Sequence, residues 1–270
     1  MAPPASAPLQ ARVLSLVKTL QFAWFVGHVL TLLGTCLYAT TVVLFRSNTY
    51  FYKLAYFGAL LSYGVVIYKS HGRPQPNVNY ARKLVMDENA QYLLLAFFWF
   101  FSAPITVTLI PFFTFSAFHA LGYVRTNVIP YVFPRPAAPA GGNETAPATW
   151  QTSVQEKIKS WTDKYYGAAM RFVAQSEVTV IAVRLVLGLF RLNIVPIILF
   201  AQFLRFRYHL STYTRQTFTE LRVKLDALLL PPSADPRVPP IAVKVYTMIK
   251  GLITQFGNSI VQAPPATAQQ

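Results

Sequence analysis

The chain of 270 residues has little cysteine, little acid and no charge at all in its longest apolar stretch. Its single cysteine, Cys36, lies in an apolar run. One cysteine excludes an intramolecular disulfide and a cysteine-based metal cluster. Charged residues make up 12% of the chain and hydrophobic residues 54%, whereas an ordinary soluble domain is roughly 25% charged. We therefore expect a large part of the chain to lie in a lipid bilayer.

The motifs of catalysis and cofactor binding are also absent. There is no glycine-rich phosphate loop, no HExxH, no nucleophile elbow and no pair of carboxylates in an apolar segment. The four histidines follow no regular spacing. The most suggestive of them, His119, has no partner in the sequence that would make it a ligand or a base. We predict no catalytic residue, no metal site and no cofactor, and that the protein is not an enzyme.

What the chain does have is an excess of cations. Lys and Arg total 24 against 9 Asp and Glu, a formal net charge of +15. In a membrane protein such a bias is typical of positive-inside flanks and of contact with anionic head groups. The lipid bilayer is therefore the expected partner, and direct binding of nucleic acid is not expected.

Hydrophobic runs predict an all-α integral membrane protein with about four membrane segments and additional amphipathic helices. After a flexible N-terminus (1–19), three membrane segments occupy 20–124, and they are interrupted by a polar loop at 69–90. Four cations in this loop (Lys69, Arg73, Arg82, Lys83) outnumber Asp87 and Glu88, so we predict that it faces the cytosol. The fourth hydrophobic segment is 178–204.

The third segment is ambiguous because it is too long. Residues 92–124 contain no Lys, Arg, Asp or Glu and would form a straight helix of about 50 Å, against a hydrocarbon thickness of about 30 Å. We predict one span kinked at Pro104 and Pro111, since proline interrupts helical hydrogen bonding. The alternative is a hairpin that folds back between these prolines, which makes 178–204 a second segment that does not span.

The fourth segment carries charges. Arg184 and Arg191 are seven residues apart and fall on one helical face, Glu177 lies seven residues before Arg184, and Pro196 is expected to kink the helix. Such charges mark a bundle interior, a snorkelling edge or a functional site. We favour arginines turned towards protein or head groups over a transport pathway.

A linker rich in Pro, Ala and Gly (125–149) connects the third segment to an interfacial amphipathic helix (150–177). The linker contains a glycosylation sequon at Asn143, which requires a luminal location. Glycosylation there would support four spans with both termini in the cytosol. The helix has an aromatic face and a lysine rim, a pattern typical of the membrane surface.

The basic C-terminal region (205–262) contains two amphipathic helices and precedes a flexible tail (263–270). Neither helix is long and apolar enough to span, so we predict that they bind the membrane surface and sense its curvature. The alternative is that their stripes pack on the membrane bundle or on a protein partner. The predicted membrane-binding residues are Phe218, Leu221, Leu225, Leu228, Ile241, Val245, Met248, Leu252, Phe256 and Ile260.

Two stretches resemble the transmembrane protein 33 family, which includes the fungal tetra-spanning and nuclear pore membrane proteins. The first stretch matches at Tyr92, Leu93, Leu94, Pro104, Thr106, Pro111, Phe115, Ser116, His119, Ala120 and Tyr123. The second matches at Arg207, Tyr208, Tyr213, Arg215, Phe218, Glu220, Leu221 and Arg222. Glu177 and Pro196 also coincide with family positions, while the linker at 126–149 resembles an insertion.

The resemblance implies a multi-pass protein of the endoplasmic reticulum membrane and nuclear envelope. It further implies a non-enzymatic part in shaping or stabilising curved membrane and in organising the nuclear pore complex. Implied partners are nuclear pore or reticulon-type membrane proteins and importins. The alternatives are a small transporter or channel subunit, or a lipid-modifying membrane enzyme.

Overall fold

The computed structural model describes residues 8–46, 48–134 and 149–258, and within them all regular structure is helical. The chain divides into two compact units, Met1–Ser176 and Glu177–Gln270. We number the helices α1 to α10, joining short 3-10 and π turns to the helices that they continue. Their bounds are Leu9–Val17, Leu20–Val43, Thr49–His71, Val78–Val85, Glu88–Phe101, Thr106–Val132, Trp150–Arg191, Val195–Leu210, Thr212–Leu229 and Pro240–Asn258.

Four of these helices are long and apolar enough to cross a membrane: α2, α3, α6 and α7. The predicted fold class, an all-α membrane protein with four membrane segments, is therefore confirmed. The segments themselves differ from the predicted ones. α5 is apolar but has only 14 residues, about 21 Å at the helical rise, and α7 begins well before residue 178.

α2 and α3 form a tight antiparallel hairpin in the first unit. At Gly27, an added Cβ would collide with Ser62 Oγ and would lie 2.6 Å from the Gly58 carbonyl oxygen, so the two backbones are in close contact. Thr31, fully buried, donates across this contact to the Ala55 carbonyl at 3.1 Å. Small residues at the interface allow this close approach, as is common between membrane helices.

The third hydrophobic segment is two helices, and the predicted kink is wrong at Pro104. Helix α5 ends at Phe101, residues 102–105 are non-helical, and α6 begins at Thr106. Pro104 lacks an amide donor and disfavours helical geometry at the preceding residue, so the helix breaks completely. Pro111 lies early in α6, where it is the third residue after an opening 3-10 turn.

The break reverses the chain, so that an aromatic side chain of α5 meets two of α6. The ring of Tyr92 in α5 is 5.7 Å from that of Phe112 and 5.1 Å from that of Phe115 in α6. A straight helix would separate Tyr92 and Phe112 by about 30 Å. The hairpin alternative is thus the arrangement in the structure.

The tip of the α5–α6 hairpin is hydrogen-bonded to α2 and α3. Thr108, buried at the start of α6, lies 3.1 Å from the hydroxyl of Tyr52 and 2.7 Å from that of Tyr56. Because its hydroxyl proton goes to the Ile105 carbonyl at 2.7 Å, both tyrosines donate to it. Tyr38 of α2 adds a longer contact to Thr106 at 3.4 Å.

α6 then returns along α2 to the end of the first unit where the chain began. Ser116 lies 3.0 Å from the His28 ring, and Tyr123 stacks on Phe25. At the far end of α6, Arg12 of α1 donates to the Tyr131 carbonyl at 2.9 Å. The interval predicted to be a flexible N-terminus therefore contains a packed helix in its second half, although residues 1–7 are outside the described part.

α7 begins at the same end and runs back along α6. Gln155 donates to the Arg125 carbonyl at 2.8 Å, and Trp161 stacks on Phe118 with ring centroids 5.5 Å apart. The aromatic face predicted for an interfacial helix is partly used in this contact. The helix continues past residue 177 to Arg191 without a break, so the predicted boundary between an interfacial helix and a fourth segment does not exist.

The predicted segment 178–204 is a second hairpin, within the second unit. α7 ends at Arg191, Leu192 adopts a left-handed backbone (φ 56°), and α8 starts at Val195. Pro196 stands in the first turn of α8, where a missing amide costs nothing; it begins a helix and does not kink one. The two arms are joined by an ion pair, Glu177 to Arg207 at 3.6 Å, both side chains buried.

Candidate membrane interface

The apolar face of α10 is turned to the outside of the second unit. We define the α10 apolar face as the five predicted residues Ile241, Val245, Met248, Leu252 and Phe256. Their exposed fractions run from 42% to 66%. Within the second unit, Phe256 lies against the Arg205 guanidinium of α8, 4.9 Å from its ring centroid, while the other four side chains stay exposed. Packing of the stripe on the membrane bundle or on a protein partner stays the alternative prediction. Ile260, predicted as its last member, lies outside the described residues.

Two further apolar residues widen this face. Ile249 and Ile253 are also exposed, and each directly follows a member of the stripe, Met248 and Leu252 respectively. A stripe with one residue per helical turn, as predicted from the sequence, does not include these two positions. With them the exposed face covers about a third of the helix circumference, the width typical of a core-facing helix surface.

The opposite face of α10 is polar and is held to the rest of the unit. Asp226 of α9 accepts hydrogen bonds from Tyr246 Oη at 2.6 Å and from Lys250 Nζ at 2.7 and 2.8 Å. We call these three residues the Asp226 clamp. In a soluble protein the apolar face would be expected inside and the polar face outside. Here the arrangement is inverted.

Ionisation supports the clamp at neutral pH. Hydrogen bonds from Lys250 and then Tyr246 hold the pKa of Asp226 below its usual range. Burial, followed by the hydrogen bond to Asp226, raises the pKa of Tyr246 to about 12. The carboxylate is therefore charged and the phenol protonated at neutral pH, which is the combination that these hydrogen bonds require.

α9 exposes much less of its predicted stripe. Phe218, Leu221 and Leu225 are half-buried, and Phe218 lies edge-to-face against Tyr208 of α8 at 5.8 Å. Only Leu228, at the end of the helix, is mostly exposed. Ser211 caps the start of the helix, and its side chain accepts a hydrogen bond from the Thr214 amide. The two helices predicted to act alike thus differ: α9 packs, and α10 presents its stripe.

The tip of the second hairpin is the other exposed apolar surface. We define the α7–α8 tip as Phe190, Leu192, Val195 and Ile198, of which Phe190 is 88% and Leu192 85% exposed. Two amides of the turn are paired within it: Leu192 donates to Leu189 and Asn193 to Gly188. Backbone groups that enter hydrocarbon need such partners, and these two pairs reduce the cost of placing the tip in lipid.

The charges of this hairpin fall into two kinds. Arg184 and Arg191 are exposed, as expected for arginines that snorkel to head groups. Glu177 was recognised as a charge in an apolar segment, but its ion-pair partner, Arg207, was not predicted. Asn143, the candidate glycosylation site, lies outside the described residues. Within the described residues, no group of three or more His, Cys, Asp or Glu side chains could hold a metal ion.

Comparison with known proteins gives one family. Residues 3–259 match the family model described as transmembrane protein 33/nucleoporin POM33. Tetra-spanning protein 1 of Schizosaccharomyces pombe is 32% identical, with 97% of this chain and 91% of the relative aligned. Nucleoporin POM33 of Chaetomium thermophilum is 35% identical, over 95% of this chain and 93% of the relative.

A third relative is the pore membrane protein of 33 kDa of Saccharomyces cerevisiae, which is 29% identical over 99% of this chain and 95% of its own length. A further protein of the same yeast, 24% identical over 84% of this chain and 89% of its own, is called pore and endoplasmic reticulum protein of 33 kDa. No solved structure matches the chain.

Proposed function

The chain belongs to the transmembrane protein 33/POM33 family, and from this premise we propose that it is a non-enzymatic protein that shapes or stabilises curved membrane and supports nuclear pore complex organisation. We assign it to the membranes of the endoplasmic reticulum and nuclear envelope, because relatives are named for the pore and the endoplasmic reticulum. Nuclear pore membrane proteins, reticulon-type proteins and importins are the partners to be tested.

The observation that carries the proposal is the inverted orientation of α10. A helix that turns its polar face to its own protein and its apolar face outward is suited to an apolar surface supplied by something else. Because four helices of this protein are long and apolar enough to span a membrane, the bilayer is the apolar surface that we expect α10 to contact. Shallow insertion of such a helix expands one leaflet relative to the other, which favours curvature.

Apolar burial dominates the expected binding energy. Fully burying a Leu, Ile, Phe or Met side chain is worth roughly 1.5–3 kcal/mol, so half-burial of the α10 apolar face contributes several kcal/mol. Cations add about 1 kcal/mol each near an anionic leaflet, and of the two lysines of α10 one, Lys250, is already paired with Asp226. Binding should therefore depend weakly on salt and favour loosely packed, curved bilayers.

The test measures where the α10 apolar face lies. In a Cys36→Ser background, a polarity-sensitive fluorophore is attached at Leu252→Cys, and at Thr254→Cys as a matched control two residues away and outside the stripe. The full chain is reconstituted into small and large vesicles of the same lipids. We expect an apolar environment for the label at position 252, more pronounced in the small vesicles, and an aqueous one at 254.

Moderate salt should leave the signal at position 252 largely intact. A label at 252 that stays in water in both kinds of vesicle would refute membrane insertion of α10. Loss of the signal on addition of salt alone would show that charge, and not apolar burial, dominates the contact.

A further inference from the structure

The clamp on α10 comes from a single carboxylate. Asp226 lies in the last turn of α9, and it accepts from both Tyr246 and Lys250 of α10. These two donors are four residues apart and so share one face of the helix. At 3.6 residues per turn, that face lies about 140° around the helix from the centre of the five-residue α10 apolar face and borders Ile253. A contact at this place fixes the rotation of α10 about its own axis.

A second pair of contacts holds the C-terminal end of the same helix to α8. The His209 ring nitrogen donates to the Gly257 carbonyl at 3.1 Å, and the Arg205 guanidinium lies over the Phe256 ring, 4.9 Å from its centroid. α10 is thus held near its middle by α9 and near its end by α8. All of these partners belong to the second unit.

Preordering changes what membrane binding must achieve. A free amphipathic segment has to fold as it binds, and the ordering of its backbone and side chains subtracts from the affinity. A helix that is already formed and already rotated brings its apolar residues to the bilayer together. Neither Asp226 nor its two partners need touch lipid for this effect.

We propose that Asp226 is a positioning residue for membrane binding: it holds α10 folded, with the apolar face turned outward towards the lipid surface. The proposal rests on the proposed function of α10 and adds the residue that orients it. Asp226 and Lys250 keep about a third of their side-chain surface exposed, so the clamp is strong enough to bias the orientation and weak enough to be reversible.

The first measurement is the distance between α9 and α10 in the full chain in vesicles. Spin labels are placed at Val223→Cys and Thr247→Cys, two exposed positions, in the Cys36→Ser background. Asp226→Ala is compared with Glu220→Ala, which removes the same charge from the same helix without touching the clamp. We expect one narrow distance distribution in the parent and in Glu220→Ala, and a broad one in Asp226→Ala.

The second measurement follows a fluorophore at Leu252→Cys in the same variants. Asp226→Ala should lower the inserted fraction on large vesicles by about three- to fivefold, the scale of a partly exposed ion pair, while Glu220→Ala leaves it unchanged. The double exchange Asp226→Lys with Lys250→Asp should restore both the narrow distance and the insertion.

The two measurements separate the proposals. Unchanged distances and unchanged insertion in Asp226→Ala would overturn the positioning role and leave membrane binding by α10 intact. If the label at position 252 remains aqueous in the parent while the distances still broaden in Asp226→Ala, the proposed membrane contact is refuted and the clamp between α9 and α10 is retained. Asp226 would then orient α10 without serving membrane binding, which overturns the positioning role proposed here. No broadening together with no insertion would end both.

Discussion

The α5–α6 and α7–α8 hairpins both reverse the chain within an apolar segment and differ in what their tips contact. The α5–α6 tip is hydrogen-bonded to the helices around it, because Thr108 accepts hydrogen bonds from two buried tyrosines. The α7–α8 tip contacts little protein, and Phe190 and Leu192 are among the most exposed apolar residues of the described chain. The second hairpin is joined instead near its base, by Glu177 and Arg207.

The difference shows that a chain reversal in an apolar segment can either pack into the protein or expose an apolar surface. Polar groups at the first tip have no water to turn to, so they must find partners within the protein, and those partners fix the hairpin in the bundle. The second tip exposes four apolar side chains beside Arg191 and Asn193, and two of its backbone amides are paired within the turn. It is free to meet lipid, and its one buried charge pair lies away from that contact.

The largest expected effect concerns which side of the membrane each tip and end reaches. With single cysteines in a Cys36→Ser background, Val78→Cys and Ser153→Cys should react with a membrane-impermeant maleimide in sealed microsomes, while Thr49→Cys should react only after permeabilisation. The α5–α6 hairpin brings the start of α7 back to the side of the 72–87 loop. Protection of Ser153→Cys together with Thr49→Cys would restore the single-span reading of residues 92–124.

Breaking the base of the second hairpin should cost the most stability. Glu177→Ala leaves Arg207 buried without its acidic partner, and removal of one member of a buried pair costs about 3–5 kcal/mol. Replacement of both, by Glu177→Leu with Arg207→Met, should recover most of that loss. Thermal unfolding in detergent measures both variants. Equal losses in the single and the double variant would mean that the pair does not act as a pair.

Loosening the first tip should cost less. Thr108→Val deprives Tyr52 and Tyr56 of their shared acceptor, and a lost buried hydrogen bond of this kind costs about 1–3 kcal/mol. Thr114→Val is the matched control, because Thr114 bonds only the Ile110 carbonyl of its own helix. Unfolding in detergent should separate the two variants. A cost at Thr114 as large as that at Thr108 would point to helix propensity and not to the tip contacts.

The smallest effect is expected at the turn of the second tip. Leu192 holds a left-handed backbone that costs a side chain with a Cβ about 1–2 kcal/mol and glycine nothing. Since its side chain is exposed, Leu192→Gly should raise stability in detergent by about 1 kcal/mol. Leu189→Gly, three residues earlier in the helix, should lower it by about the same amount. The same Leu192→Gly variant should insert less well in vesicles if the tip contacts lipid.

Sequence predicted the elements of these hairpins better than their geometry. The apolar runs and the spacing from Ile241 to Phe256 identified the helices and the outward stripe of α10, because periodicity reflects which face avoids water. The sequence does not distinguish a kinked helix from a broken helix at Pro104, because both geometries accommodate the amide hydrogen bond that proline cannot make. That choice depends on the contact between Tyr92 and Phe115, which is tertiary.

The partners of single charges were equally out of reach. Glu177 stood out as an acid in an apolar segment, but Arg207 lies thirty positions away and becomes its neighbour only if the chain reverses near residue 193. Asp226 was one of several polar residues of α9. Once a reversal is assumed, an acid and a cation at equal distance from the turn are a usable signal, and Glu177 and Arg207 form such a pair. Asp226 and Lys250 do not, because Asp226 lies close to the end of α9 and Lys250 lies in the middle of α10.

The close contact between α2 and α3 bears on how the protein is made. Their backbones meet at Gly27 and Gly58 and are joined by a connection of a few residues, so every contact of this pair lies within residues 20–71. A pair of neighbouring helices forms with a shorter loop closure than contacts between distant segments, and it needs no later part of the chain. We expect α2 and α3 to pack together as soon as both helices have left the ribosome. The pair then provides the surface against which α5 and α6 pack. The order of synthesis is then also the order of assembly.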